Sequence, residues 1–577
     1  MCPTLPCAQA SGRFGADPFP LPFLPVDNCR SKGCSSKRVR ARHKGREDLA
    51  LLANDTIGAL NGVYDGRPRE ASGCQAEWSE SWPAILAASK SLRRAGPTGG
   101  EALRSLFKCG DESYLKGSGP PVFLTTGDVG RIAEPSDTRR VTMREGCSAE
   151  FLRTFTPQEV LDPTRASDGG GLNRKARVFG SHAAYTGFLR RGRNLELIGF
   201  MKARDVKAVN DMFFIEKVGK GTLRKIIDCR PSNDLMRRPG ETTLAGPWHS
   251  TEVGTGSFWV GEGDIEAAFT RVEASEWMWA YQCLAPVVLS EVLSDREIAA
   301  GSYRCPFTGS VFLPGEEVYP CYIRLPMGGV RSAEIMQHIA TRLLAEEFAS
   351  ESDVRTLARP VSDRERLILS THSSMKGTEG GLAAVWGVYI DNFYVVGADE
   401  ARTTQLLERG IQALSRAGLL CALVQPVSRQ GKLLGFEYDG RRGTAGVPAS
   451  RMQLLREAGK HLGHFDVVDV DVLERLVGHF AWAFLVKRPL YSVFSATYEF
   501  MRLNKGRRVP WWPSARRELD LASRLVHLAT TDLTCPVAPV LLVSDAEGSN
   551  RRDHGGGAVV ARPLAPVEVE AFRKVYA

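Results

Sequence analysis

The stretch that most constrains this chain is Ala384 to Gly397, AVWGVYIDNFYVVG. Two short runs of β-branched, aromatic and small apolar residues flank the dipeptide Asp391-Asn392. Runs of that kind around a two-residue Asx turn predict a β-hairpin. Its tip would carry Asp391 out of an otherwise apolar ribbon. Asp-Asn is also ordinary turn chemistry in hairpins that have no site. The weight of Asp391 therefore depends on what stands elsewhere in the chain.

A chain of 577 residues, 43% hydrophobic and 24% charged, is expected to form several globular domains. A net charge of +9 permits a polyanionic partner without requiring one. The 13 cysteines form no regular CxxC pairs, which argues against a zinc ribbon or a disulfide framework. Cys305 and Cys321 bracket a loop without marking a bridge. Reduced thiols point to an intracellular protein of the cytoplasm, the nucleus or both. Prolines interrupt the apolar N-terminal segment and no apolar run is long enough to span a bilayer, so a soluble protein with no membrane partner is expected.

Residues 1–50 are rich in Pro, Ser, Gly and Cys, end in the basic tract RSKGCSSKRVRARHKGR, and are expected to form a disordered arm. Residues 51–158 show apolar spacings of three and four and are expected to be a helical accessory region.

The chemistry begins at DMFFIEKVGKGTLRKIIDCRPSN, Asp211 to Asn233. Strand, glycine turn and return strand would gather Lys217, Lys220, Arg224, Lys225 and Arg230 near one face. Such a set suits a triphosphate or a nucleic-acid backbone; a solvated basic hairpin is the plainer reading. Next, FWVGEGDIEAAFTRV places Asp264 at the end of an apolar approach and Phe269 five positions later. A buried strand-end carboxylate is costly unless paired or bound to a cation, although a helix N-cap is an alternative. In LPMGGVRSAEIMQ, Gly328 and Gly329 would let backbone approach a ligand, Ser332 would cap a helix, and Gln337 lies early in it. Ile335, Met336, Ile339, Leu343, Leu344 and Phe348 form that helix's core stripe. Residues 350–380 are polar and irregular, a surface insertion. After the hairpin come a helix from Asp399 to Ala417, a strand from Leu419 to Val424, and Lys432-Leu-Leu-Gly435-Phe-Glu-Tyr.

The order strand, helix, hairpin, helix, strand is βαββαβ-like: an α+β fold with an antiparallel sheet backed by helices. In it Asp264 and Asp391 can meet at one sheet edge facing the basic hairpin. Two-metal phosphoryl transfer needs that arrangement.

These residues resemble the palm and fingers of a retroelement reverse transcriptase, most closely the DIRS-like and pararetrovirus-like enzymes. The resemblance runs from about Asp211 to Tyr438. It implies a right-hand polymerase with fingers and palm over residues 159–440, a helical thumb or connection over 441–535, and a partial RNase H-like hairpin over 536–577. Lys217 and Arg224 match the lysine and arginine that hold the incoming triphosphate. Asp264 matches the first metal-binding aspartate, Phe269 the aromatic that excludes the ribose 2′-OH, and Gln337 the closing glutamine of the nucleotide-contacting motif. Asp391 matches the first aspartate of the YxDD hairpin, and Lys432 and Gly435 lie in the primer grip. Lys225, Arg230, Gly328 and Gly329 would touch template or primer. Implied with them are Mg²⁺ or Mn²⁺, an RNA or DNA template–primer, and dNTPs.

Asn392 stands where that family has its second catalytic aspartate. An amide offers one carbonyl oxygen but no charge, so two functions stay open: an RNA-directed DNA polymerase, or a weakened or inactive polymerase-fold protein that binds nucleic acid. Glu266, two residues after Asp264, is expected to point the wrong way to replace the charge. On this reading Asn392→Asp should strengthen metal binding.

Overall fold

The structure, a computed structural model, describes residues 51–59, 97–109, 121–135, 137–166, 176–217, 221–240, 244, 257–351, 354–356, 384–533, 540–546 and 557–563. The N-terminal arm, Lys220 and most of the 350–380 insertion lie outside them.

Three apolar cores organise the chain. The first gathers Leu124, Phe188, Phe200, Phe214 and Leu223 around a hairpin of β1, Asp211–Glu216, and β2, Leu223–Asp228. The two strands pair antiparallel, with Ile215 across from Arg224 and Phe214 across from Lys225.

The second core lies under the central sheet. Its members in chain order are β3 (Trp259–Ile265), α1 (Ser332–Glu347), β4 (Val354–Thr356), β5 (Ala384–Tyr389), β6 (Asn392–Gly397), α2 (Glu400–Arg416) and β7 (Cys421–Ser428). The strand order is β4-β5-β6-β3-β7. All pairs are antiparallel except β4 with β5. The expected βαββαβ order is present, with β4 added on the edge. That strand falls inside the segment read from sequence as an irregular insertion, and three residues are too few to show a periodicity.

The alternation of β3 explains how the sheet sits on its helices. Trp259, Gly261, Gly263 and Ile265 share one face, and Val260, Glu262 and Asp264 share the other. A Cβ on Gly261 would lie 2.6 Å from Leu407 of α2, and one on Gly263 would lie 3.0 Å from Cys421 Sγ. Glycine there lets α2 and β7 press onto the sheet. The opposite face carries the fully buried Val260 at its root and the acidic side chains of Glu262 and Asp264 toward its end.

The third core joins the sheet root (Val260, Tyr394, Val396) to a small sheet and a helical region. The sheet holds β8 (Gln430–Leu433), β9 (Phe436–Asp439) and β10 (Thr444–Gly446). The helices are α3 (Ala449–Gly463), α4 (Val470–Phe484), α5 (Ser495–Leu503) and α6 (Pro513–Leu525); β11 (Thr530–Asp532) then pairs with β10. Leu103 and Phe107 of the helix Gly99–Cys109 pack on this core. The last pair, β12 (Val540–Ala546) and β13 (Gly557–Pro563), is an antiparallel hairpin with Asp545 across from Ala558. Among the described residues no helix is long and apolar enough to cross a membrane. Cys305 and Cys321 are both free and buried.

Candidate active site

Asp264 ends the open face of β3, and β6 pairs with β3 so that Asn392 lies directly across from it. The hairpin turn is one residue earlier than the sequence suggests. β5 ends at Tyr389, the turn is Ile390-Asp391, and Asn392 is the first residue of β6. Ile390 takes φ +59°, a region costly for a β-branched side chain. Two contacts hold it there. Gln337 Oε1 accepts the Ile390 N–H at 2.8 Å, and Gln337 Nε2 donates to the Val388 carbonyl at 3.0 Å. The Ile265 N–H also donates to the Asp391 carbonyl at 2.8 Å, which ties the tip to the end of β3.

Asp264 and Asp391 line one cleft of about 220 Å³, together with Phe269, Lys217 and Arg224. Three separate stretches of sequence thus converge. Phe269 follows a turn in which Ala267 takes φ +51°, steadied by the fully buried Arg271. That guanidinium donates to the Glu266 carbonyl at 3.0 Å and to Asp137 at 2.8 Å.

Several expected roles change. Gln337 is 4% exposed, and both ends of its amide are used in bracing the hairpin tip. Lys225 also lines the cleft, but its ammonium donates to both Glu134 carboxylate oxygens at 2.6 Å and sits 4.6 Å from the Tyr322 ring centroid. Burial alone would lower its pKa; Glu134 and Tyr322 together outweigh that and raise it. Arg230 is held by Asp228, with Nε 2.7 Å and 2.9 Å from the two carboxylate oxygens. These two cations are matched within the protein, so the basic face is narrower than the residue count suggests.

The glycines also serve the chain itself. A Cβ on Gly328 would meet the Ile227 carbonyl oxygen of β2 at 2.7 Å, and one on Gly329 would meet Ser332 Oγ at 2.5 Å. Asn233 clasps that loop, donating to the Gly328 carbonyl at 2.9 Å and accepting from the Val330 N–H at 2.8 Å. Ser332 is the first residue of α1, and its hydroxyl donates to the Pro326 carbonyl at 2.7 Å instead of capping the helix. Gly435 takes φ +84° under Trp482. Lys432 is 67% exposed, with Nζ 3.7 Å from a Glu437 oxygen.

Orientation alone does not exclude Glu266, because residues two apart on a strand share a face. It lines the same cleft, but it lies beyond the end of β3 at Ile265 and its carboxylate is 3.3 Å from Arg271. The acid that does share the face is Glu262, which sequence reasoning passed over. It is 8% exposed, and its Oε1 accepts from Asn392 Nδ2 at 3.0 Å. Burial first, then the charge of Asp264, pushes its pKa up to about 7, while the Asn392 hydrogen bond acts in the opposite direction. The signal was available in the parity of Val260, Glu262 and Asp264.

Carboxylate and amide oxygens are hard donors of the kind Mg²⁺ or Mn²⁺ takes. Among the described residues no group of three or more His, Cys, Asp or Glu side chains is placed to hold a metal ion. Asp264 and Asp391 fit such a cation in kind, with two charges in place of three.

No protein-family model matches the chain, and no curated protein matches it. A solved structure of a foamy viral protease-reverse transcriptase in complex with double-stranded DNA is similar to it at a TM-score of 0.40 and 12% identity, covering 89% of this chain and 72% of that one. At that level the likeness carries no weight for function, which rests on the side-chain geometry.

Proposed function

We propose that this protein is an RNA-directed DNA polymerase that adds dNTPs to a primer 3′-OH on an RNA or DNA template. The observation that carries the reading is the shared cleft of Asp264, Asp391, Phe269, Lys217 and Arg224. Cations on one wall and carboxylates on another suit a triphosphate whose reacting phosphorus must come between them. Lys217 and Arg224 hold the phosphate charge by charge-assisted hydrogen bonds. Phe269 packs where the sugar of the incoming nucleotide lies and closes the space of a 2′-OH. Asp264 and Asp391 hold Mg²⁺ or Mn²⁺. When bound, such cations favour the ionised primer hydroxyl and offset charge on the departing pyrophosphate. Gln337 keeps the hairpin tip where Asp391 can serve.

Asn392 supports a second reading, a polymerase-shaped protein that binds nucleic acid with little or no catalysis. One experiment separates the two: template–primer extension with Mg²⁺ and with Mn²⁺, the wild type set beside Asp264→Ala. Metal-dependent extension lost in the variant supports the polymerase. Template–primer binding without extension under either metal supports the binding protein.

A further inference from the structure

Resting on that polymerase reading, we propose that Glu262 is a positioning residue of the active site: it fixes the orientation of the Asn392 amide beside Asp264. Three observations lead there. Glu262 and Asp264 share the open face of β3, and Asn392 lies directly across from Asp264. The Asn392 amide nitrogen donates to Glu262 Oε1 at 3.0 Å. Glu262 is 8% exposed, and Tyr394, buried, lies across from it in the strand pair.

An amide has one donating and one accepting end, and which end faces outward is ordinarily open. Here an acceptor oxygen claims the nitrogen. The carbonyl oxygen is thereby turned away from Glu262, and it is the only end of the amide that can ligate a hard cation. A neutral residue at the second hairpin position thus presents an oxygen in one fixed sense, as a carboxylate would in either.

Glu262 acts through Asn392, whose amide nitrogen occupies its Oε1. Burying a carboxylate on a sheet face is costly, and an apolar side chain would be the cheaper occupant of that position. The hydrogen bond to Asn392 gives the buried acid a function.

The sign expected for Asn392→Asp therefore reverses. A new carboxylate at position 392 would face Glu262 acceptor to acceptor, in a place with little solvent to separate them. Adding Glu262→Gln reverses the bond instead: the new amide donates and the new carboxylate accepts, with the charge moved to the hairpin.

The test compares wild type, Asp264→Ala, Glu262→Leu, Asn392→Asp and the double variant Glu262→Gln/Asn392→Asp. It reads Mn²⁺ affinity from the electron paramagnetic resonance of unbound Mn²⁺, the Mg²⁺ concentration for half-maximal extension, and thermal unfolding. Loss of an orienting partner typically weakens metal affinity by about 10–100-fold. Each single variant is expected to bind Mn²⁺ about tenfold more weakly, and the double variant to return to within about threefold of wild type. If Asn392→Asp does not fold, the double variant decides: folded with recovered affinity supports the proposal, unfolded or still weak overturns it.

Wild-type affinity in Glu262→Leu, which has no acceptor for the Asn392 amide, or tighter binding in Asn392→Asp than in wild type, overturns the role of Glu262 and leaves the polymerase reading intact. Equal Mn²⁺ binding by wild type and Asp264→Ala, with extension by neither, overturns the polymerase reading and this proposal with it.

Discussion

Two hairpins face each other across the cleft, and they are built on opposite plans. The hairpin of β5 and β6 is enclosed in its sheet, flanked by β4 and β3. The main chain at its tip is held from two sides, by Gln337 and by the Ile265 N–H. Its chemical groups sit on short side chains, so their position is set by backbone. The hairpin of β1 and β2 is a two-stranded sheet. It packs on the first core, and among the described residues its main chain pairs with other segments through single bridges, such as Val122 with Phe214 and Ile132 with Leu223. Its chemical groups are long cations, two of which are already matched by Glu134 and Asp228. A metal ligand must be fixed to within a fraction of an ångström, whereas a triphosphate tolerates a reaching ammonium or guanidinium. The difference in construction follows the difference in ligand.

The strongest way to break the comparison is Asp264→Ala. It removes a charge from the fixed hairpin side while touching little of the core, because Asp264 is only partly buried. Extension should fall on the order of a hundredfold or more, with thermal unfolding nearly unchanged. A variant that extends primers as well as wild type would remove Asp264 from the site.

Gln337→Ala attacks the brace itself. Three hydrogen bonds go, to Val388, Ile390 and Thr341, and a buried backbone donor at a strained residue loses its partner. A stability loss of about 2–4 kcal/mol is expected in urea unfolding. Extension should fall with kcat more than with KM for dNTP, since the Gln337 amide is spent on Val388, Ile390 and Thr341. A rise in KM alone would return Gln337 to the nucleotide-binding role expected from sequence.

Lys217→Ala and Arg224→Ala probe the reaching side. Each should raise the KM for dNTP about tenfold, the value of one charged hydrogen bond, and leave the unfolding midpoint within about a degree or two of wild type. An unfolding shift larger than the kinetic effect would show these cations to be structural, as Lys225 is.

What the sequence made legible was local. The strand–Asp264–Phe269 spacing, the Lys217–Arg224 hairpin and the Asp391 hairpin each carry their signal within a dozen residues, and each was placed correctly to within a residue or two. What stayed hidden depends on distant partners. Nothing near Lys225 in the chain announces Glu134, and nothing near Gln337 announces the carbonyl of Val388. The one-residue shift of the turn was missed because Ile390, β-branched, is a poor candidate for positive φ. It is tolerated only because α1 supplies the brace. Glu262 is a different failure. Its face could be read from the parity of β3, and attention to Asp264 alone left it out.

The smallest expected effect concerns salt. Counting Lys217, Lys225 and Arg230 alike as phosphate contacts predicts that each contributes about 0.9 to the slope of log affinity for template–primer against log salt. The structure divides that count. Asp228 holds the Arg230 guanidinium at two oxygens, and Glu134 holds the Lys225 ammonium at 2.6 Å. A cation already matched has few condensed counterions of the nucleic acid to displace. Arg230→Ala should therefore change the slope by less than about 0.3, measured by fluorescence anisotropy between low and physiological salt. The companion variant Asp228→Asn unmatches Arg230 without removing it and should steepen the slope by up to about 0.9. If Arg230→Ala flattens the slope by a full contact, the Asp228 pair opens on binding. The hairpin of β1 and β2 would then hold its cations in reserve, and matched charge would no longer separate it from the hairpin of β5 and β6.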